Sequence, residues 1–138
     1  DVNIPISADD SEVRIEREPF DDVINYIVET IDESILNLPL RVTGSNDLGR
    51  VDQVIAKSIK SRVLLYSASP LFNGNSEFYS GFTNNDGENL FNLNYDVQKW
   101  QLAVDATEEA IMAACRERNG MKKLSVERVF TKILEYIK

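Results

Sequence analysis

Aromatic rings and side-chain amides are interleaved in the stretch FNGNSEFYSGF, and the same combination occurs near residue 95. A sugar presents apolar C–H faces and a rim of hydroxyls, so a ring can cover its face while amides hydrogen-bond its edge. These residue types therefore predict carbohydrate binding as the chemistry of the segment. The candidate ligand-binding residues are Asn73, Asn75, Phe78, Tyr79, Phe82 and Tyr95.

A structural alternative accounts for the same residues. Regular hydrophobic periodicity fails from residue 70 to residue 95, and so long an irregular segment is uncommon in a compact domain unless it is functional or disordered. In this alternative the rings pin the loop to neighbouring helices, while asparagines and glycines form its turns. The aromatic content argues against disorder under either interpretation.

The same loop contains an oxygen-rich group, Asn84, Asp86 and Glu88, that partly resembles a calcium-binding loop. The EF-hand spacing fails, because its first ligand position falls on Phe82, which cannot coordinate a cation. We therefore predict that these residues form a turn and assign no metal ligands, with a calcium site as the minor alternative.

Carboxylates that could serve as a glycosidase pair are numerous, but they fall mainly on the solvent side or in the first turn of one amphipathic helix. Solvation and the helix dipole explain these residues, which are Asp21, Asp22, Glu29, Asp32 and Glu33. The chain has no histidine and one cysteine, Cys115, which excludes a histidine-based triad and a Cys/His zinc site. We expect no catalytic residue and no cofactor, and we predict that Cys115 is buried on an apolar helical stripe.

The composition is that of one globular domain. The chain has 138 residues, 43% of them apolar and 28% charged, with a net charge of −8. So acidic a protein repels phosphate backbones, which argues against a nucleic-acid partner. No apolar run is long enough to span a bilayer, and the N-terminus lacks the pattern of a signal peptide.

Apolar residues recur at three- and four-residue spacing in four segments, which is the pattern of a helical face. The segments are approximately residues 19–38, 51–68, 96–118 and 125–138. Pro19 and Pro39 bracket the first, Asn119–Gly120 ends the third, and Ser125 is a predicted N-cap for the fourth. The second becomes apolar on most sides in VLLYSA, which predicts a central helix buried between its neighbours.

These elements predict an all-α chain with the long loop between its second and third helices. TPR-like helical hairpins are one arrangement that fits the pattern, and a plain helical bundle predicts much the same residues. Small residues at Ala103 and Ala110 are typical of the positions where such paired helices cross. The predicted organisation is an extended segment over residues 1–18, followed by a helical domain over residues 19–138 that contains the loop 70–95.

Three ordered blocks of the sequence resemble the TPR-like helical region of the SusD/RagB family. GRVDQVIAKSIKSRVLLYSASPLFNGN is similar to its central helix, which starts at Gly-Arg and ends in Arg-Val-Leu-Leu-Tyr-x-Ala-Ser-Pro-Leu-Phe-Asn. REPFDDVINYIVETIDESILNLP resembles the preceding helix, and YDVQKWQLAVDATEEAI resembles the following one, with its Lys-Trp and Ala-x-x-Ala spacing. The resemblance covers approximately residues 12–120.

The resemblance implies a surface-exposed outer-membrane lipoprotein of Bacteroidetes-type bacteria. Such proteins bind glycans or other nutrients over a TonB-dependent, SusC-like transporter and catalyse no reaction. Family members are several times longer, so the chain is expected to be a fragment without its own signal or lipid anchor. In that family the helical region is mainly scaffold, and much of the oligosaccharide site lies in other segments.

Two other functions stay open. A helical-repeat module for protein–protein interaction predicts the same apolar stripes, and a glycan hydrolase domain predicts the same rings and carboxylates. As a fragment, the isolated chain is expected to expose apolar helix faces that its parent covers, and therefore to self-associate.

Overall fold

The computed structural model describes residues 16–115, and this part of the chain is all-α, as predicted, with 57% helix and no strand. Three long helices form its body: α1 (Phe20–Ile35), α2 (Gln53–Ala68) and α4 (Gln98–Cys115). A short helix, α3 (Ser76–Tyr79), lies within the long loop, and a 3₁₀ turn occupies Ser45–Asp47. The predicted segment 1–18 falls mostly, and the fourth helix wholly, outside the described residues.

Both ends of the α1–α2 connection are set by two neighbouring side chains, Gln53 at the start of α2 and its N-cap residue Asp52. The amide of Gln53 donates to the carbonyl of Leu38 at 2.8 Å and to that of Ile35 at 3.2 Å, which also accepts from the backbone of Leu38 at 3.3 Å. Asp52 is buried and caps α2, accepting from the backbone of Ile55 at 2.9 Å and of Val42 at 3.4 Å. These contacts end α1 earlier, and start α2 later, than periodicity alone predicts.

The packing of α2 against α4 forms the main helix interface. Alanines line the buried side of α4, so the two helices approach closely; they are Ala103, Ala106, Ala110 and Ala113. The helices run antiparallel, because Lys57 pairs with Glu109 at 3.6 Å while Ser61 hydrogen-bonds Thr107 at 2.7 Å. The prediction that Ala103 and Ala110 lie in a helix crossing is consistent with this arrangement.

The first helix completes the core from a second side of α2. Ile24 and Val28 of α1, together with Trp100 of α4, pack on the buried cluster of Leu64, Ala68, Ala103 and Ala106. Two ion pairs reinforce the contact: Lys60 bonds Asp32 at 2.7 Å and Lys99 bonds Asp21 at 2.6 Å. Both lysine side chains are largely buried, which makes these pairs stronger than exposed ones.

The prediction that α2 is buried on most sides is wrong for Leu65 and Tyr66, which are about half exposed. The cause is geometric, since α1 and α4 cover neighbouring sides of α2 and the remaining side has no neighbour among residues 16–115. Cys115 is also exposed rather than buried. It lies two positions after Ala113, which turns it about 200° around the helix from that buried residue.

The described helices include none with both the length and the apolarity needed to cross a bilayer.

We predict that Ala103→Leu destabilises the chain by about 1–3 kcal/mol. Ala103 is 2% exposed at the α2–α4 contact, and a larger side chain there forces the helices apart. Urea denaturation followed by circular dichroism measures the change. Gln101→Leu, on the exposed side of the same helix, is the matched control and should shift the unfolding free energy by less than about 0.5 kcal/mol. Equal effects of the two substitutions would contradict the packing described here.

Candidate ligand-binding site

The long loop is closed at its base by the side chain of Asn73, which is 3% exposed. Its amide nitrogen donates to the carbonyls of Asp96 at 2.8 Å and Ala68 at 3.4 Å, and its oxygen accepts from the backbone of Asp96 at 2.8 Å. One side chain thereby joins the end of α2 to Asp96, two residues before α4. Asn73 is a predicted ligand residue, but both ends of its side-chain amide are hydrogen-bonded to the backbone in this structural role.

The next residue, Gly74, permits the two ends of the loop to cross at close range. Its φ is +76°, and a Cβ there would lie 2.5 Å from the backbone nitrogen of Tyr95. Only glycine satisfies both the left-handed conformation and the close approach. The Asn-Gly pair is therefore used to bring residues 73 and 74 against residues 95 and 96.

A second candidate, Asn75, is the N-cap of α3. Its side-chain oxygen accepts from the backbone nitrogen of Phe78 at 3.2 Å, which pairs one of the free donors at the start of the helix. Both candidate asparagines thus serve the backbone, as the structural alternative predicts. A ligand could still reach Asn75, which is only partly buried.

Five rings pack into one group, which we call the aromatic cluster: Phe20, Phe72, Tyr79, Phe82 and Phe91. Phe91 lies at its centre, stacked on Tyr79 at 3.9 Å and on Phe20 at 5.3 Å between ring centroids. Phe72 stacks on Phe20 at 4.8 Å, and Phe82 meets Tyr79 edge-on at 5.7 Å. The cluster fastens the loop to the start of α1, and such contacts stabilise beyond their area burial.

The predicted aromatic residues separate into two groups. Tyr79 lies within the aromatic cluster and Phe82 lies at its edge, partly exposed. Phe78 and Tyr95 stand outside it, 66% and 63% exposed, so their ring faces are accessible to a ligand. Sequence reasoning did not assign Phe20 to this cluster, because Phe20 also continues the apolar stripe of α1.

The middle of the loop is a tight turn. Leu90 donates to the carbonyl of Phe82 at 2.8 Å, and Asn84 donates to Glu88 at 2.9 Å while its side chain accepts from the same residue at 2.7 Å. Gly87 takes a positive φ of 84° within it. The prediction of turn residues here is confirmed, and no group of three potential metal ligands occurs in the described part of the chain.

An open cleft of about 550 Å³ lies between the start of α1 and the last part of the loop. The loop contributes residues 88–94, and the start of α1 contributes Asp21 and Asp22 together with the N-cap residue Pro19. Its floor is held in place because Phe20 donates its backbone N–H to the carbonyl of buried Leu90 at 2.8 Å. Sequence reasoning missed this cleft; the run of amides in NLFNLN was the available signal.

The chemistry of the cleft is hydrogen bonding. Asp22 and Glu88 offer carboxylate acceptors, and Asn89, Asn92 and Asn94 offer amides, one of which is committed because Asn92 accepts from the backbone of Asn94 at 3.0 Å. Such groups match the paired donors and acceptors of polyhydroxylated ligands. Phe91 borders the cleft, but its ring is covered by Tyr79 and Phe20 and offers no free stacking face.

Two solved structures of BT4246, a protein of Bacteroides thetaiotaomicron, are similar to this chain. One matches 83% of the chain at 37% identity with a TM-score of 0.72, and the other, of the selenomethionine protein, matches 80% at 35% identity with a TM-score of 0.66. The chain spans only 20% and 19% of those proteins. No family model and no curated protein matches the sequence.

We predict that Asn73→Asp destabilises the chain by roughly 3 kcal/mol, because it places a carboxylate against two carbonyl oxygens in a buried site. Asn75→Asp is the matched control and should change stability by less than about 0.5 kcal/mol, since aspartate caps a helix as well as asparagine does. Chemical denaturation of both variants measures the difference. A stable Asn73→Asp protein would rule out Asn73 as the residue that closes the loop.

Proposed function

We propose that this chain is part of a SusD/RagB-type protein, a non-catalytic glycan- or nutrient-binding component of an outer-membrane uptake system. The observation that carries the proposal is the 37% identity over 83% of the chain to a protein of a Bacteroidetes bacterium. It agrees with the resemblance of three sequence blocks to that family. The chain spans 20% of its relative, so binding and uptake are proposed for the longer protein.

The role of the chain within that protein is mainly scaffolding. The family-like phrase RVLLYSASPLFN covers the second half of α2 and the turn after it. Leu64 and Ala68 lie in the core, the carbonyl of Ser69 accepts from Asn73 at 2.9 Å, and the side chain of Asn73 closes the loop. Each residue in this phrase that is buried has a structural task, which supports a junction between helix and loop.

The loop is where ligand contact is proposed. Phe78 and Tyr95 present exposed rings, and Asn75 and the cleft beside α1 present hydrogen-bonding groups. Rings beside amides and carboxylates suit an oligosaccharide, and the acidic net charge of −8 disfavours a nucleic acid. The proposed partner is a TonB-dependent, SusC-like transporter, and the proposed location is the cell surface, where the full protein is a lipoprotein of the outer membrane.

A protein–protein interaction module is the second candidate, and the exposed side of α2 favours it. Ile55, Ile59 and Tyr66 recur at four- and seven-residue spacing there and are each about half exposed. In a longer protein, another domain or partner would cover this stripe, so scaffold and interaction roles are compatible. The distinguishing property is glycan binding, which the second candidate does not require.

We predict that the full-length protein binds an oligosaccharide, and that Phe78→Ala or Tyr95→Ala weakens the affinity about tenfold by removing a stacking ring. Calorimetric titration against a panel of oligosaccharides measures the affinity. Tyr26→Ala is the matched control, because Tyr26 is 66% exposed but lies on α1, outside the loop. Absence of binding to every glycan would argue against the proposed function, whereas unaltered binding by the variants would move the site elsewhere.

A further inference from the structure

Asn73 and Gly74 form an Asn-Gly step, a sequence at which the backbone reacts readily with the asparagine side chain. The backbone nitrogen of the glycine attacks the side-chain carbonyl carbon, and the absence of a Cβ on glycine leaves the approach unhindered. A new N–C bond forms, the bond from that carbon to the amide nitrogen breaks, and ammonia leaves with the proton of the attacking nitrogen. Water then opens the resulting succinimide to aspartate or isoaspartate. The sequence alone therefore predicts a labile step.

The fold restrains the side chain that this reaction consumes. Asn73 is 3% exposed, and its amide nitrogen donates to the carbonyls of Asp96 and Ala68 while its oxygen accepts from the backbone of Asp96. Attack by the next backbone nitrogen requires this amide to leave its partners, which strands buried polar groups without hydrogen bonds. The same burial keeps out the water that the second step consumes.

The attacking nitrogen is restrained as well. Gly74 has a φ of +76°, and a Cβ there would lie 2.5 Å from the backbone nitrogen of Tyr95. The succinimide ring contains the Cα–C bond of Asn73 and therefore fixes the torsion that places Gly74. A change in that torsion moves Gly74 against or away from Tyr95, so the contact between residues 73–74 and 95–96, which we call the loop base, resists ring formation.

The products do not fit the loop base. Aspartate has no N–H to donate, so its carboxylate would face the carbonyl oxygens of Asp96 and Ala68 in a buried place, which is unfavourable. Isoaspartate lengthens the main chain by one methylene group at the point where Gly74 already lies in close contact with Tyr95. Both products therefore favour an open loop base over a closed one.

We propose that Asn73–Gly74 is a deamidation site that the closed loop base keeps unreactive, and that its reaction holds the loop base open. Transient opening frees the Asn73 amide and admits water, so the rate of deamidation follows the fraction of time that the loop base is open. The aromatic cluster sets that fraction too, because it fastens the same loop to the start of α1. The loop base is thereby a one-way switch, since the loss of ammonia is not reversed.

Peptide-resolved mass spectrometry of the full chain, incubated at mildly alkaline pH, measures the conversion of Asn73 separately from that of Asn119, the asparagine of the second Asn-Gly step. Conversion of Asn73 should be at least about tenfold slower in the native chain than in the same chain in urea, because the native loop base is mostly closed. Equal rates in the two conditions would overturn the proposal.

A variant of the aromatic cluster tests whether opening of the loop controls the rate. Phe91→Ala removes the central ring without contacting Asn73 and should accelerate native deamidation about threefold or more. Phe82→Ala, at the edge of the cluster, should act in the same direction with a smaller effect, and it replaces Phe91→Ala if circular dichroism shows that the latter loses helix. Phe78→Ala is the matched control, because its ring is 66% exposed outside the cluster, and it should leave the rate unchanged. Folded cluster variants that react no faster than this control would contradict the proposal.

The deamidated chain, separated from the unreacted chain by ion exchange, tests the second half of the proposal. Hydrogen–deuterium exchange of its amides in residues 76–95 should be about tenfold faster than in the unreacted chain, because the loop base no longer closes. Amides in the buried α2–α4 contact should exchange at an unchanged rate. A deamidated chain whose loop keeps its protection would show that the reaction does not hold the loop base open and would overturn the switch.

Discussion

The close approach of α2 and α4 is the constraint on which the described structure depends. Alanines on α4 allow it, and the approach brings Leu64 and Ala68 of α2 against Ala103 and Ala106. The first helix packs Ile24 and Val28 against the surface that α2 and α4 form together. Since the core has few large side chains, its stability depends on dispersion between close surfaces rather than on the burial of bulky residues.

The long loop is ordered by contacts at three places along its length. Asn73 joins its two ends, the tight turn near Gly87 folds its middle, and the aromatic cluster ties its last part to α1. Ordering a loop of this length opposes folding, because each residue that is fixed loses conformational entropy. The further entropy cost of bringing the two ends of the loop together grows only slowly with loop length. The stacked rings and the buried amide offset that entropy, and they leave Phe78 and Tyr95 free at the surface.

Much of this architecture could be predicted from the sequence, because helix periodicity is a local property. The positions of α1, α2 and α4 follow from apolar spacing, and the alanines at the helix crossing follow from their small size. Helix ends were less accurate, since α1 ends where the side chain of Gln53 captures its carbonyls. That contact joins residues distant in sequence, and no local pattern encodes it.

The candidate site was harder to predict for the same reason. Asn73 has the residue type of a sugar ligand, and only its pairing with Asp96 across the loop reveals its structural role. The cluster likewise required knowing that Phe20 and Phe91 meet. The sequence predicts that Leu65 is buried, whereas its side chain is about half exposed. An apolar composition does not reveal how many other helices pack against a given helix. Residue type alone therefore does not distinguish binding residues from structural ones in this loop; the contacts that each side chain makes in the folded chain do.

The position of Trp100 has a practical consequence for optical work on this protein. It is the only tryptophan in the chain, and it packs partly buried where α1, α2 and α4 meet. The polarity around an indole in that place depends on the packing of all three helices. Its emission wavelength therefore provides a label-free signal of whether the three helices are assembled.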